Sequence, residues 1–232
     1  MIPVSVKPTI VQVATSVGTA RVHVRRPASP GGVLLLGHGA GPSISTVDLV
    51  AATEAAVAAG WVVALVEQPW LVAGGRVAAR PPVLDAAWVA VAAALRGGRG
   101  ALAFAEGPWV VAGRSAGARV ACRSAVEVGA AGVLCLSFPL HPPGRPEASR
   151  AEELRSPLAV GLPVAVVQGE RDPFGTPTEV LAAAPLGPER MYAVPGTHTI
   201  PRGSAAAVGA AVTAVLGGIP TAAPGCPHPP RE

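Results

Sequence analysis

The stretch WVVAGRSAGARVACRSA, residues 109–125, starts as an apolar run, breaks at glycine, shows one serine, meets a second glycine and continues rich in alanine. The first part has the composition of a buried strand and the second that of a helix, so Ser115 falls at a strand-to-helix junction. Around it, Gly113-Arg114-Ser115-Ala116-Gly117 fits G-x-S-x-G. In that pattern the chain turns so sharply that side chains two positions to either side would clash with neighbouring elements. Ser115 is either a turn residue in a glycine-rich chain or a nucleophile. With glycine at 28 of 232 positions, the pattern alone does not decide.

Outward from this junction, short apolar strands alternate with helical segments. TIVQVATS and ARVHVR alternate in half-buried fashion and predict an antiparallel start, whereas GGVLLLG, WVVALVE, GVLCLSF and PVAVVQG read as strands covered on both faces. ERMYAV is the last strand. Helices are predicted over about 46–59, in PPVLDAAWVAVAAALRGG, behind Ser115, in PEASRAEELR, in TPTEVLAAAP and in GSAAAVGAAVTAVLGG. The implied fold is α/β: a mostly parallel sheet of about eight strands with helices on both faces. One domain is expected over residues 1–217, followed by a disordered, proline-rich tail at 218–232. Roughly 25 residues separate GVLCLSF from PVAVVQG, too few for a separate lid or cap domain.

Composition narrows the function classes. Half the residues are hydrophobic and 14% are charged, as in a globular chain. The net charge of +4 comes from scattered arginines without a block of like charge, which argues for a solvated surface rather than a nucleic-acid partner. Cys122, Cys135 and Cys226 lack metal-type spacing and form no disulfide framework, and the first two sit in apolar surroundings as small core residues. No apolar run approaches the ~18 residues of a membrane span and no signal pattern opens the chain, so no membrane partner and a cytoplasmic location are expected. No metal cluster or cofactor is expected.

A serine nucleophile needs a base, and the base needs an orienting acid. Where they follow successive strands of such a sheet, the chain order is serine, acid, histidine. PVAVVQGERDPFG supplies Glu170 and Asp172 just after a buried strand. Asp172 is preferred because the loop has cleared the strand there, with Glu170 as the fallback. YAVPGTHTI places His198 after the last strand. A developing oxyanion needs N–H donors, expected from Ala116 behind the serine and from Ala40 or Gly41 in the small-residue loop HGAGPS. His38, Arg114 and His141 are expected at the substrate rim, with His38 bracing its loop rather than moving a proton. His23 reads as a surface or edge residue, and His228 belongs to the tail.

With these residues in place the chain resembles an α/β-hydrolase. More narrowly, it is similar to the small capless group related to dienelactone hydrolase that includes testis-expressed and chromatin-complex-subunit relatives. The resemblance covers about residues 20–217 and rests on LLLGHGAG, GGRVAARPPVLDAAW, AGRSAGARVA, CLSFPLHPPGRPE and VQGERDPFG. It implies Ser115 as nucleophile, Asp172 as acid and His198 as base. The expected activity is hydrolysis of a small-molecule acyl substrate, an ester above all, by a monomer or a homodimer. A non-catalytic interaction protein on the same fold is the alternative. A dinucleotide-binding protein is excluded because GHGAGPS lacks the third glycine at the required spacing.

Overall fold

A computed structural model describes residues 8–98 and 107–220. Its centre is one eight-stranded sheet in the order β1-β2-β4-β3-β5-β6-β7-β8. These strands are β1 (Thr9–Thr15), β2 (Gly18–Arg25), β3 (Gly32–Gly37), β4 (Trp61–Glu67), β5 (Trp109–Arg114), β6 (Gly132–Leu136), β7 (Val164–Gly169) and β8 (Met191–Val194). β1 pairs antiparallel with β2, and β2 antiparallel with β4, while every other neighbour pair is parallel. The sheet is therefore mixed, and the opening hairpin supplies its antiparallel part.

Successive side chains of a strand point to opposite faces, so a strand buried on both sides must be apolar throughout. β3 obeys this: Leu34 and Leu36 join one core, Val33 and Leu35 the other. The first of these cores lies under α1 (Val47–Ala58) and α7 (Ala205–Gly217). The second lies under α3 (Pro81–Arg96), α4 (Ala116–Val128), α5 (Ala151–Ala159) and α6 (Pro177–Ala183), with the single turn α2 (Pro69–Val72) beside it. Cys122 and Cys135 are buried core residues whose sulfurs lie 3.5 Å apart.

Three element boundaries differ from the sequence reading. The strand predicted through Phe138 ends at Leu136, because Ser137 takes φ +50° and turns the chain out of the sheet. The helix predicted over PEASRAEELR starts at Ala151 instead of Pro146. Arg150 is held to the chain beyond β6 by N–H and guanidinium bonds to the Leu140 and Pro139 carbonyls, so the helix nucleates only beyond it. Ile219, assigned to the tail, is buried in the core against Gly132, and the rest of that expected tail, 221–232, lies outside the described residues.

Two arginines read as solvated surface are instead built into helix packing. Arg119 of α4 grips Glu153 of α5 through two bonds of 2.6 and 2.7 Å. Arg123 reaches Glu153 at 2.8 Å and forks onto Asp85 of α3 at 2.6 and 2.8 Å. Burial alone would push the Glu153 carboxyl up, but the two guanidinium groups more than offset this and hold it below its ordinary value.

Candidate active site

Ligands of open α/β sheets collect beyond the carboxyl ends of the strands, at the point where strand order reverses. Here that point is β3, flanked by β4 and β5. Gly37 ends β3, and Ser115 follows the last residue of β5.

Ser115 takes φ +54° and ψ −112°, a conformation costly for any residue with a Cβ. Its hydroxyl does not cap α4, although the residue sits at the cap position. The backbone N–H is anchored to the Leu136 carbonyl at 2.9 Å, and the carbonyl receives the Ala118 N–H at 3.0 Å. The flanking glycines are required by contact. A Cβ at residue 113 would collide with the backbone of Gly117, and one at 117 would lie 2.7 Å from the Gly37 and His38 carbonyl oxygens. Strand β5, helix α4 and strand β3 thus meet backbone to backbone.

The strained serine points its hydroxyl at His198, whose Nε2 lies 2.8 Å from Oγ. Nδ1 of the same ring lies 2.9 Å from Asp172 Oδ2. A carboxylate only accepts, so Nδ1–H donates to Asp172, leaving Nε2 to accept from the Ser115 O–H. Phe174 covers the imidazole, ring centroids 4.1 Å apart. Asp172 is 1% exposed and fully engaged: Oδ1 accepts the Phe174 N–H at 2.9 Å, and Oδ2 also accepts from Gln168 at 3.0 Å. Glu170, the fallback acid, is exposed, and the His198 ring bonds Asp172 instead.

Gln168 and Phe174 were missed in the sequence. Gln168 is completely buried: its Oε1 accepts the Phe138 N–H, while its Nε2 donates to the Phe138 and Gly175 carbonyls as well as to Asp172. The signal was a polar side chain inside the otherwise apolar VAVVQG.

The residues expected to meet substrate divide differently. His38 is 3% exposed; its Nδ1–H donates to the Gly39 carbonyl at 2.7 Å and its Nε2 accepts the Gln68 N–H at 3.1 Å. Burial lowers its pKa, against the smaller pull of that carbonyl and of Glu67. It is a neutral brace for the loop after β3. Arg114 is also turned to internal contacts: Nη2 donates to the His198 carbonyl at 2.9 Å, and Nε lies 3.3 Å from Asp48 Oδ2. His141 packs against the acid loop, its N–H on the Phe174 carbonyl and its ring Nδ1 on the Pro142 carbonyl. His23 sits half-buried on β2, 3.0 Å from Glu67.

Ala40 and Gly41 are exposed in the loop after β3. Ala116 opens α4, where the first N–H groups of a helix have no acceptor within it. A cavity of about 10 Å³, lined by Gly39, Ala116, Gly117, Trp70 and Trp88 among others, adjoins this point. Neither this cavity nor the larger ones of about 270 and 350 Å³ are lined by Ser115, Asp172 or His198. No group of metal-ligating side chains and no helix long and apolar enough to cross a membrane occurs among the described residues.

The fold is shared with solved structures of low sequence identity. A serine hydrolase without lid from Xanthomonas campestris is 17% identical, with a TM-score of 0.70 over 96% of this chain and 100% of that one. A serine hydrolase homologue from Coxiella burnetii is 14% identical, with a TM-score of 0.72 over 91% and 98%. An esterase from Pyrobaculum calidifontis is 18% identical, with a TM-score of 0.61 over 90% and 85%. No curated protein matches the sequence. A family described as an alpha/beta hydrolase domain does match, over residues 30–199, which takes in the ends of β3, β5, β7 and β8 and every residue of the Ser115–His198–Asp172 relay; the chain belongs to that family.

Proposed function

We propose that the protein is a serine hydrolase acting on a small carboxylic ester or related acyl substrate. One observation carries the reading: the unbroken hydrogen-bonded relay Ser115–His198–Asp172, begun by a serine held at φ +54°. Ser115 Oγ attacks the acyl carbonyl as its proton passes to His198 Nε2, and Asp172 stabilises the imidazolium that forms. The negative oxygen is held by the Ala116 N–H, at the start of α4, together with an N–H from Ala40 or Gly41. Collapse expels the alcohol, which takes the proton from His198. Water, activated by the same imidazole, then releases the acid from the acyl-enzyme and returns the proton to Ser115.

The exposed loop at Ala40 and Gly41 favours a substrate bound in an open cleft. Lidless serine hydrolase and esterase neighbours support the same reaction class. Ser115→Ala is expected to abolish both p-nitrophenyl acetate turnover and labelling by a fluorophosphonate probe. A wild-type chain that neither turns over nor labels would overturn the proposal.

A further inference from the structure

We infer that Arg114 is a positioning residue: its guanidinium fastens the segment carrying His198 to the first turn of α1, beside the serine next to it in the chain. The inference rests on the reading of Ser115, His198 and Asp172 as the reacting relay.

The geometry explains why such a fastening is needed. Ser115 follows β5 and His198 follows β8, with β6 and β7 between them in the sheet. Three strand spacings amount to roughly 14 Å. The segment after β8 must therefore reach back across two strand ends to bring an imidazole to within 2.8 Å of Oγ. That segment is irregular from Pro195 to Pro201, without a helical or strand ladder to fix it. Arg114 bonds the backbone of the very residue that carries the imidazole, through Nη2 to the His198 carbonyl at 2.9 Å.

The other atoms of the guanidinium define the second attachment. The guanidinium lies beside Gly39 of the loop after β3, where a Cβ would come within 2.7 Å of Arg114 Nη1. Nε faces Asp48, which is 2% exposed in the first turn of α1 and whose Oδ1 accepts the Leu49 N–H at 3.0 Å. A carboxylate suits a helix N-terminus, so the counter-charge is fixed to a rigid element rather than to a loop. A planar guanidinium can bond the His198 carbonyl through Nη2 while its Nε stays 3.3 Å from the Asp48 carboxylate, which a lysine ammonium cannot do in the same geometry. Since residue 114 is the variable position of G-x-S-x-G, the elbow's own sterics do not demand arginine there.

The test compares full-length wild type, Arg114→Gln, Arg114→Lys, Arg114→Ala and Asp48→Asn in p-nitrophenyl acetate turnover, with thermal melting as a check on folding. Arg114→Gln is expected to lower kcat about 10- to 100-fold, the scale of a misplaced reacting group. KM should stay within about twofold, since no substrate contact is removed. Arg114→Lys should recover only part of kcat, and guanidinium added to Arg114→Ala should restore turnover where equal sodium chloride does not. If Arg114→Gln fails to fold, Arg114→Lys and Asp48→Asn carry the same kcat and KM readouts. An unchanged kcat, or a raised KM at unchanged kcat, would overturn the inference.

A readout independent of turnover is the proton resonance of the His198–Asp172 hydrogen bond in the Ser115→Ala background. It should be sharp with Arg114 and broadened with Arg114→Gln, and a signal unaffected by that substitution would overturn the tether. A wild type that neither turns over nor labels would defeat the hydrolase reading, while this resonance would still decide on the tether.

Discussion

Gly117 lies where the backbone of α4 runs against the end of β3, and the contact leaves no space for a methyl group. A Cβ there meets the Gly37 carbonyl and the His38 oxygen at 2.7 Å, all of them backbone atoms that cannot swing aside. Gly117→Ala must therefore push the helix behind Ser115 away from the sheet. A loss of about 1–3 kcal/mol is expected, the usual cost of overpacking, and is measurable by urea denaturation. Turnover should fall further than stability, because the same shift moves Oγ from His198. Gln168 acts by a different principle. It satisfies the Phe138 backbone, the Gly175 carbonyl and Asp172 in a fully buried position. Gln168→Leu strands those groups without water, so a destabilisation of about 1–3 kcal/mol is expected on the same denaturation assay. The residues of the relay were legible because each chemistry-bearing type stood just after a strand. Gln168, Asp48 and the contacts of Arg114 were not, because their partners lie far along the chain and only folding reveals them.

At the scale of elements, α3, α4 and α5 are joined by Arg119, Glu153, Arg123 and Asp85. The Glu153 carboxyl titrates below its ordinary value of 4.5 in the folded chain, so its stabilising contribution is complete above that pH and is lost as acid protonates it. Glu153→Gln should cost about 1 kcal/mol near neutral pH, the scale of a partly exposed charge network. The gap between wild type and variant should close as pH falls through and below 4.5, which denaturation at a series of pH values will show. A gap independent of pH would mean that packing, not charge, holds the junction. Element type was readable almost throughout, since apolar runs of six or seven residues between alanine-rich segments admit little besides buried strands and covering helices. Boundaries were less readable: the delayed start of α5 depends on Arg150 bonding to Pro139 and Leu140, a long-range event that no local pattern announces.

For the molecule as a whole, strand order places Ser115 and His198 on parts of unequal security. Ser115 leaves β5, which has partners on both sides near the middle of the sheet. His198 hangs from β8, a four-residue strand paired on one side only among the described residues, through Val166–Met191 to Gly169–Val194. Opening free energies vary across a native protein, and short margins let go first. Warming should accordingly silence turnover some degrees before the near-ultraviolet dichroism of the core collapses, and hydrogen exchange should find the amides of 191–194 far less protected than those of 110–113. Ser115 is bolted to the keel while His198 rides on the gunwale.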